Sequence, residues 1–140
     1  MKKRIFKGAG VAIVTPFNPD GSVNFEKMGE LIELQIKGGT DAIIVCGTTG
    51  ETSTLETDEH IECIKYAVNK TAGRIPVITG VGSNHTNYAV EMSKEAKKAG
   101  VATIVATPHF YLHKNNLDAF LERRKQACSE LNNYIAENSS

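Results

Sequence analysis

The residues best suited to chemistry are two threonines between two glycines, in the run Gly47-Thr48-Thr49-Gly50. Glycine lets the backbone approach a ligand closely, and the N–H groups of such a loop can point at an anion. The threonine hydroxyls add donors that can also relay a proton. The pattern favours a site for a small carboxylate or phosphate. The alternative is a tight turn whose hydroxyls bond to their own backbone.

Other candidate residues give weaker signals. His109 and His113 are four apart, but no acidic residue accompanies them in metalloprotease spacing. Cys46 lacks the cationic neighbour that would make a thiolate nucleophile, and is interpreted as a small buried filler. The run Gly80-Val81-Gly82 lacks the third glycine of a dinucleotide fingerprint. We therefore expect neither a metal site nor a cofactor.

Composition limits the partners and the compartment. The 140 residues carry a formal net charge of zero, which argues against nucleic acid or an acidic membrane surface as the main partner. No apolar run approaches the roughly 20 residues needed to span a bilayer. The chain has three cysteines and no CxxC pair, so neither a disulfide framework nor a zinc site is indicated. We expect a cytoplasmic protein.

The candidate loop follows one of four short apolar runs. These runs are continuous rather than alternating, which is typical of strands buried on both faces, as in a parallel sheet. They occupy residues 11–14, 42–46, 76–78 and 101–106.

Between and after these strands, apolar residues recur at steps of three and four and predict helices. Asn24 is a suitable N-cap for the first helix. Asp58 and Glu59 place negative charge in the first turn of the second, where it complements the helix dipole. The predicted helices run from Phe25 to the glycines at 38 and 39, from Thr57 to near Gly73, from Thr86 to Gly100, and from about Leu117.

The resulting order is β-α repeated four times, which predicts an α/β fold with a parallel sheet. Two architectures fit the pattern equally: a small open sheet with helices on both faces, or half of a (β/α)₈ barrel. A complete barrel takes about 250 residues, so 140 cannot hold one. In either case chemistry belongs at the carboxyl ends of the strands. Threonine stands at every one of these ends, as Thr15, Thr48, Thr79 and Thr107.

Several segments together resemble a known family. The matching residues are 10–17, 39–51, 58–60, 73–78, 80–84 and 107–108, in the family's order and spacing. The chain resembles the dihydrodipicolinate synthases, of the pyruvate-dependent class I aldolase and lyase family that also includes N-acetylneuraminate lyase. At the double threonine the chain resembles the synthases, because the neuraminate lyases more usually carry serine before threonine. We expect one partial-barrel domain over residues 1–140, family-like over 5–108, with a divergent helical tail over 109–140.

The resemblance implies a fold, a reaction and residue roles. The fold would be four consecutive βα units, the N-terminal half of a TIM (β/α)₈ barrel. The family condenses pyruvate, held as an imine on a lysine, with an aldehyde, which for the synthases is aspartate semialdehyde in lysine biosynthesis. By matching position, Thr48 resembles the hydroxyl of the proton relay. Thr48 and Thr49, flanked by Gly47 and Gly50, resemble the cradle for the pyruvate carboxylate.

The chain also departs from the family. The family's tyrosine pair after Thr-Pro falls on His109 and Phe110, so that Tyr111 could replace the relay tyrosine only with a one-residue slip. The imine-forming lysine of the family corresponds to a position beyond residue 140. The resulting expectation is an N-terminal fragment or truncated form of a dihydrodipicolinate synthase-like lyase, inactive alone.

Three alternatives remain open. The first is a non-catalytic half-barrel that associates with itself through exposed sheet edges or docks on a full-length relative. The second is a fragment of a neuraminate lyase-like aldolase. The third is a binder of small anions that uses the loop without chemistry. The family commonly forms homo-oligomers, so the resemblance implies association as well.

Overall fold

Four strands alternate with four helices in the computed structural model, which describes residues 5–105 and 116–137. A single 3₁₀ turn, Thr52–Thr54, follows the second strand. In chain order the elements are β1 (Gly10–Ala12), α1 (Phe25–Lys37), β2 (Ala42–Val45), α2 (Thr57–Thr71), β3 (Val77–Gly80), α3 (Thr86–Ala99), β4 (Thr103–Val105) and α4 (Leu117–Glu137).

The strands form one parallel sheet in the order β1-β2-β3-β4. Crossovers between parallel strands are right-handed, so an order that never reverses places every helix on the same face of the sheet. Each helix accordingly contacts the next one along the chain. A sheet with helices on both faces would need a reversal of strand order. The strand order therefore decides between the two architectures and selects the barrel segment.

The core lies between the sheet and its helices. Ile43 and Val45 of β2 are fully buried in one apolar cluster with Met28 and Ile32 of α1 and Ile64 of α2. Side chains alternate along a strand, so the neighbours of these β2 residues face the opposite side of the sheet. That side is the one a closed barrel fills with its own side chains.

The opposite side is less well covered. A Cβ on Gly10 would lie 3.3 Å from the Cδ1 atom of Ile44, which places both residues on this face. Val14 continues the alternation from Gly10 and is 49% exposed, and Val105 of β4 is 42% exposed. We call Val14, Ile44 and Val105 the open face of the sheet.

The helices begin where the sequence predicts. The Asn24 side chain caps α1 by accepting a hydrogen bond from the amide of Lys27 at 2.9 Å. The predicted starts of all four helices are confirmed. None of the helices within residues 5–105 and 116–137 is long and apolar enough to cross a bilayer.

All four strands differ from the predicted runs in their limits, and the third strand shows the reason most clearly. It begins at Val77, one residue later than predicted, and continues through Gly80, two residues beyond the predicted run. Pro76 cannot donate to the sheet, although its carbonyl accepts from the Ile43 amide at 3.0 Å. At the other end, pairing with β4 extends the strand, since Gly80 lies opposite Val105.

Candidate functional site

The loop between β2 and the 3₁₀ turn folds as a tight turn closed by its own backbone. Cys46 takes a positive φ of 52° and bends the chain away from the strand. The Gly47 carbonyl then accepts a hydrogen bond from the Gly50 amide at 3.0 Å and from the Thr52 hydroxyl at 2.9 Å. The Thr48 carbonyl accepts from the amide of Glu51 at 3.1 Å. We call residues 47–50 the threonine loop.

The two threonines of this loop keep their donors free. Both residues are exposed. Within the described part of the chain, neither hydroxyl and neither amide N–H of Thr48 and Thr49 makes a hydrogen bond. The hydroxyl that donates to the loop backbone is that of Thr52, and not that of Thr48 or Thr49. Among the described residues, the alternative of a turn whose own threonine hydroxyls bond to its backbone therefore does not hold. The loop therefore offers two N–H and two O–H donors to an anion without first breaking internal bonds.

The segment that follows strand β1 supports the loop from one side. The buried hydroxyl of Thr15 donates to the Gly50 carbonyl at 2.7 Å. A Cβ on Gly50 would lie 3.2 Å from the Cys46 nitrogen and 3.3 Å from the Thr15 hydroxyl oxygen. Position 50 must therefore stay small for the loop to close on Thr15.

Strand β3 supports the loop from the other side. A Cβ on Gly80 would collide with the carbonyl oxygen of Cys46 and lie 3.0 Å from the Cα of Gly47. The Gly80 carbonyl is in turn 3.2 Å from the Nε2 atom of His60, a buried residue of α2. The two backbones can approach this closely only because position 80 carries no side chain.

The thiol beneath the loop is not a nucleophile. Cys46 and Cys63 are both buried in the apolar cluster. The hydrogen bond to Cys63, together with burial, raises the pKa of the Cys46 thiol, which stays protonated at neutral pH. Cys46 lies in the core, as the interpretation of a small filler required.

The structure brings together the four predicted residues Gly47, Thr48, Thr49 and Gly50 in one turn. Tyr111, named as a possible relay substitute, lies outside the described residues. Sequence reasoning assigned no role to three residues that hold the loop in place: Thr52, His60 and Gly80. One signal could have indicated His60, which lies on the buried stripe of α2 with Ile64, Ala67 and Thr71 and so places a polar ring in the core.

No described residue fits the role of an imine-forming lysine. Apart from Lys7, every lysine within residues 5–105 and 116–137 lies on a helix. An imine-forming amine must lose its proton at neutral pH, which requires a dry pocket or a cationic neighbour. Among the described residues, the site therefore has donors that can bind an anion and hydroxyls that can pass a proton, but no amine nucleophile.

Sequence comparison places this chain in a known family. The model of the dihydrodipicolinate synthetase family matches residues 5–122. The chain is 64% identical over 107 residues to the 4-hydroxy-tetrahydrodipicolinate synthase of Thermoanaerobacter sp. (strain X514), which covers 76% of this chain and 36% of that protein. It is 48% identical over 122 residues to the synthase of Caldicellulosiruptor saccharolyticus, covering 87% of this chain and 41% of that one.

Solved structures agree with the sequence comparison. Dihydrodipicolinate synthase from Aquifex aeolicus superposes with a TM-score of 0.80 at 42% identity, over 89% of this chain and 42% of that one. The Acinetobacter baumannii synthase, solved in complex with pyruvate, gives a TM-score of 0.82 at 36% identity, over 90% and 43% of the two chains. This chain thus spans about two fifths of the length of these relatives, and its four βα units correspond to the N-terminal half of their barrel. The chain belongs to the dihydrodipicolinate synthetase family.

Proposed function

We propose that this chain provides the carboxylate-binding half of the active site of a dihydrodipicolinate synthase-type lyase. The observation that carries the proposal is a set of four donors on Thr48 and Thr49, at the carboxyl end of a parallel strand, none of which bonds to another described residue. Pyruvate is the proposed ligand, with its carboxylate on these donors and the Thr48 hydroxyl in the proton relay. The pyruvate complex of the A. baumannii relative supports this choice.

The proposal extends to the reaction and to the organisation of the chain. The second substrate would be aspartate semialdehyde, in a cytoplasmic step of lysine biosynthesis. Residues 5–108 would form the family-like unit and residues 109–140 a divergent helical tail. A polypeptide of these 140 residues would bind pyruvate without turning it over, because no lysine of the described residues follows a strand.

Removing one donor of the threonine loop tests the proposed binding. We expect Thr48→Val to raise the Kd for pyruvate at least tenfold in a calorimetric titration, since a hydrogen bond to a charged group is worth about 1.5–3 kcal/mol. Thr86→Val is the matched control, because the Thr86 hydroxyl makes no hydrogen bond in the described residues and lies outside the loop. Equal pyruvate affinity of the parent chain and Thr48→Val would overturn the proposal.

Borohydride treatment of the titrated sample tests the second half of the proposal. Borohydride reduces an imine between lysine and pyruvate to a stable secondary amine, which adds mass to the protein. We expect no added mass on the 140-residue chain, and stoichiometric addition on a full-length synthase treated in parallel. Stoichiometric addition to this chain would show that one of its own lysines forms the imine.

A second candidate function is that of a non-catalytic association module. The open face of the sheet favours it, because apolar side chains such as Val14 and Val105 are nearly half exposed there. The occupant of this face would be a second copy of the chain or a full-length relative. An association measurement tests this candidate function.

A further inference from the structure

We propose that His60 is a positioning residue for the threonine loop and acts through the carbonyl of Gly80. The inference deepens the proposed function and rests on it for the identity of the ligand. His60 is 1% exposed, and its Nε2 atom lies 3.2 Å from the Gly80 oxygen. A carbonyl can only accept, so Nε2 carries the ring proton and Nδ1 presents a lone pair.

A histidine is a costly choice for this position. The Nδ1 atom is buried and has no hydrogen-bond partner within the described part of the chain. A buried acceptor without a partner destabilises the fold, and an apolar side chain would avoid that cost. Burial also lowers the pKa of the His60 imidazole, which keeps the ring neutral at physiological pH. Compared with an apolar side chain, the histidine supplies one N–H donor to the Gly80 carbonyl.

The Gly80 backbone transmits that contact to the loop. Gly80 packs against the backbone of Cys46 and Gly47, where even a methyl group would not fit. Gly47 begins the turn, and its carbonyl accepts the hydrogen bonds of Gly50 and Thr52 that close it. A shift of the Gly80 carbonyl would therefore move the start of the turn and, with it, the four donors on Thr48 and Thr49.

Three variants separate positioning from ordinary packing. His60→Gln keeps an N–H donor near the Nε2 position, whereas His60→Met fills similar space without a donor. Ile64→Val is the matched control, because it removes one methylene from the same buried face of α2. The readout is the set of amide NMR shifts of residues 47–51 without ligand. We expect these to move in His60→Met, to return toward the parent values in His60→Gln, and to stay unchanged in Ile64→Val.

Pyruvate affinity provides the second readout. We expect His60→Met to weaken pyruvate binding about fivefold to tenfold and His60→Gln to recover most of the loss. Loop shifts in His60→Met that match the parent chain, or that Ile64→Val reproduces, would overturn the inference. Failure of the proposed function gives a different pattern: no pyruvate binding by the parent chain, with the loop shifts still dependent on the residue at position 60.

A measurement on the unmodified chain keeps the inference testable if His60→Met does not fold. The ¹⁵N shifts of the His60 ring distinguish the two neutral tautomers. We expect protonation at Nε2, with a coupling across the hydrogen bond to the Gly80 carbonyl carbon. A ring protonated at Nδ1 would show that no such bond exists, and the inference would be wrong.

Discussion

Gly80, at the end of β3, packs against Gly47, the first residue of the threonine loop, and only Gly47 has room for a side chain. A Cβ on Gly80 would meet backbone atoms of Cys46 and Gly47, which cannot swing aside as a flexible side chain can. A Cβ on Gly47 would meet only the Cγ2 atom of Ile44, at 4.0 Å. The requirement for glycine is therefore set by the fold at position 80 and not at position 47.

This asymmetry makes a prediction about stability. We expect Gly80→Ala to lower the free energy of unfolding by about 1–3 kcal/mol, because the methyl group forces two backbones apart. Gly47→Ala is the matched control and should cost much less, since its methyl group enters ordinary van der Waals space. Urea denaturation followed by circular dichroism measures both. Equal costs for the two substitutions would show that the close contact at Gly80 is absent.

The residues of the site differ in how far sequence could indicate them. Thr48 and Thr49 carry a local signal, because hydroxyl residues between glycines after a buried strand favour either an anion site or a tight turn. Gly80 carries no such signal, and helical periodicity places His60 in the core without indicating its contact with Gly80, since both roles depend on contacts between segments distant in the chain. Gly80 contacts the threonine loop because β3 pairs with β2. No local sequence pattern encodes the register of that strand pair.

Helix α2 begins just after the threonine loop, and its first turn is fixed by a side chain. Glu59 accepts a hydrogen bond from the backbone amide of Glu56 at 3.0 Å, an arrangement typical of a capping box. Buried Leu55 connects the 3₁₀ turn to this helix start. The start of α2 thus fixes the end of the segment that follows the threonine loop. It also fixes the position of His60, in the first turn of α2, relative to Gly80.

We expect Glu59→Ala to lower the free energy of unfolding by about 1 kcal/mol, because the Glu56 amide loses its acceptor. Glu59→Gln is the control, since glutamine also serves in a capping box and keeps an acceptor oxygen. Hydrogen exchange at the Glu56 amide gives the local readout and should accelerate in the alanine variant alone. Unchanged exchange in Glu59→Ala would contradict a role for this side chain in starting the helix.

Helix starts are easier to predict from sequence than strand limits. A helix start depends on residues within one turn, such as Asn24 or Glu59, so it can be predicted from adjacent positions. The length of a parallel strand depends on its neighbours. Strand β3 reaches Gly80 because β4 pairs with it there, and it excludes Pro76 because proline has no N–H. Pairing partners are not visible in a local pattern, which is why the strand limits differed.

The described residues form two layers of secondary structure, a parallel sheet and a layer of helices. Helices cover one face of the sheet, and the strand order β1-β2-β3-β4 leaves the other to be filled by the remainder of a barrel. Periodicity alone could not separate this arrangement from a sheet with helices on both sides, since both have the same βα repeat. Strand order separates them, and the family resemblance in the loops indicated the same answer from sequence.

The open face predicts the behaviour of the 140-residue polypeptide in solution. Its valines are nearly half exposed along a sheet whose strands are parallel, a surface that favours association with another copy or with a relative. We expect light scattering to give a mass above that of one chain, rising with concentration.

Val14→Lys should shift the mass toward that of a single chain, because a charge within an apolar contact opposes burial. The control is Leu34→Lys, at a position on α1 that is 63% exposed, and it should leave the association unchanged. A parent chain that stays monomeric at every concentration, or equal effects of the two lysines, would show that the open face does not drive association.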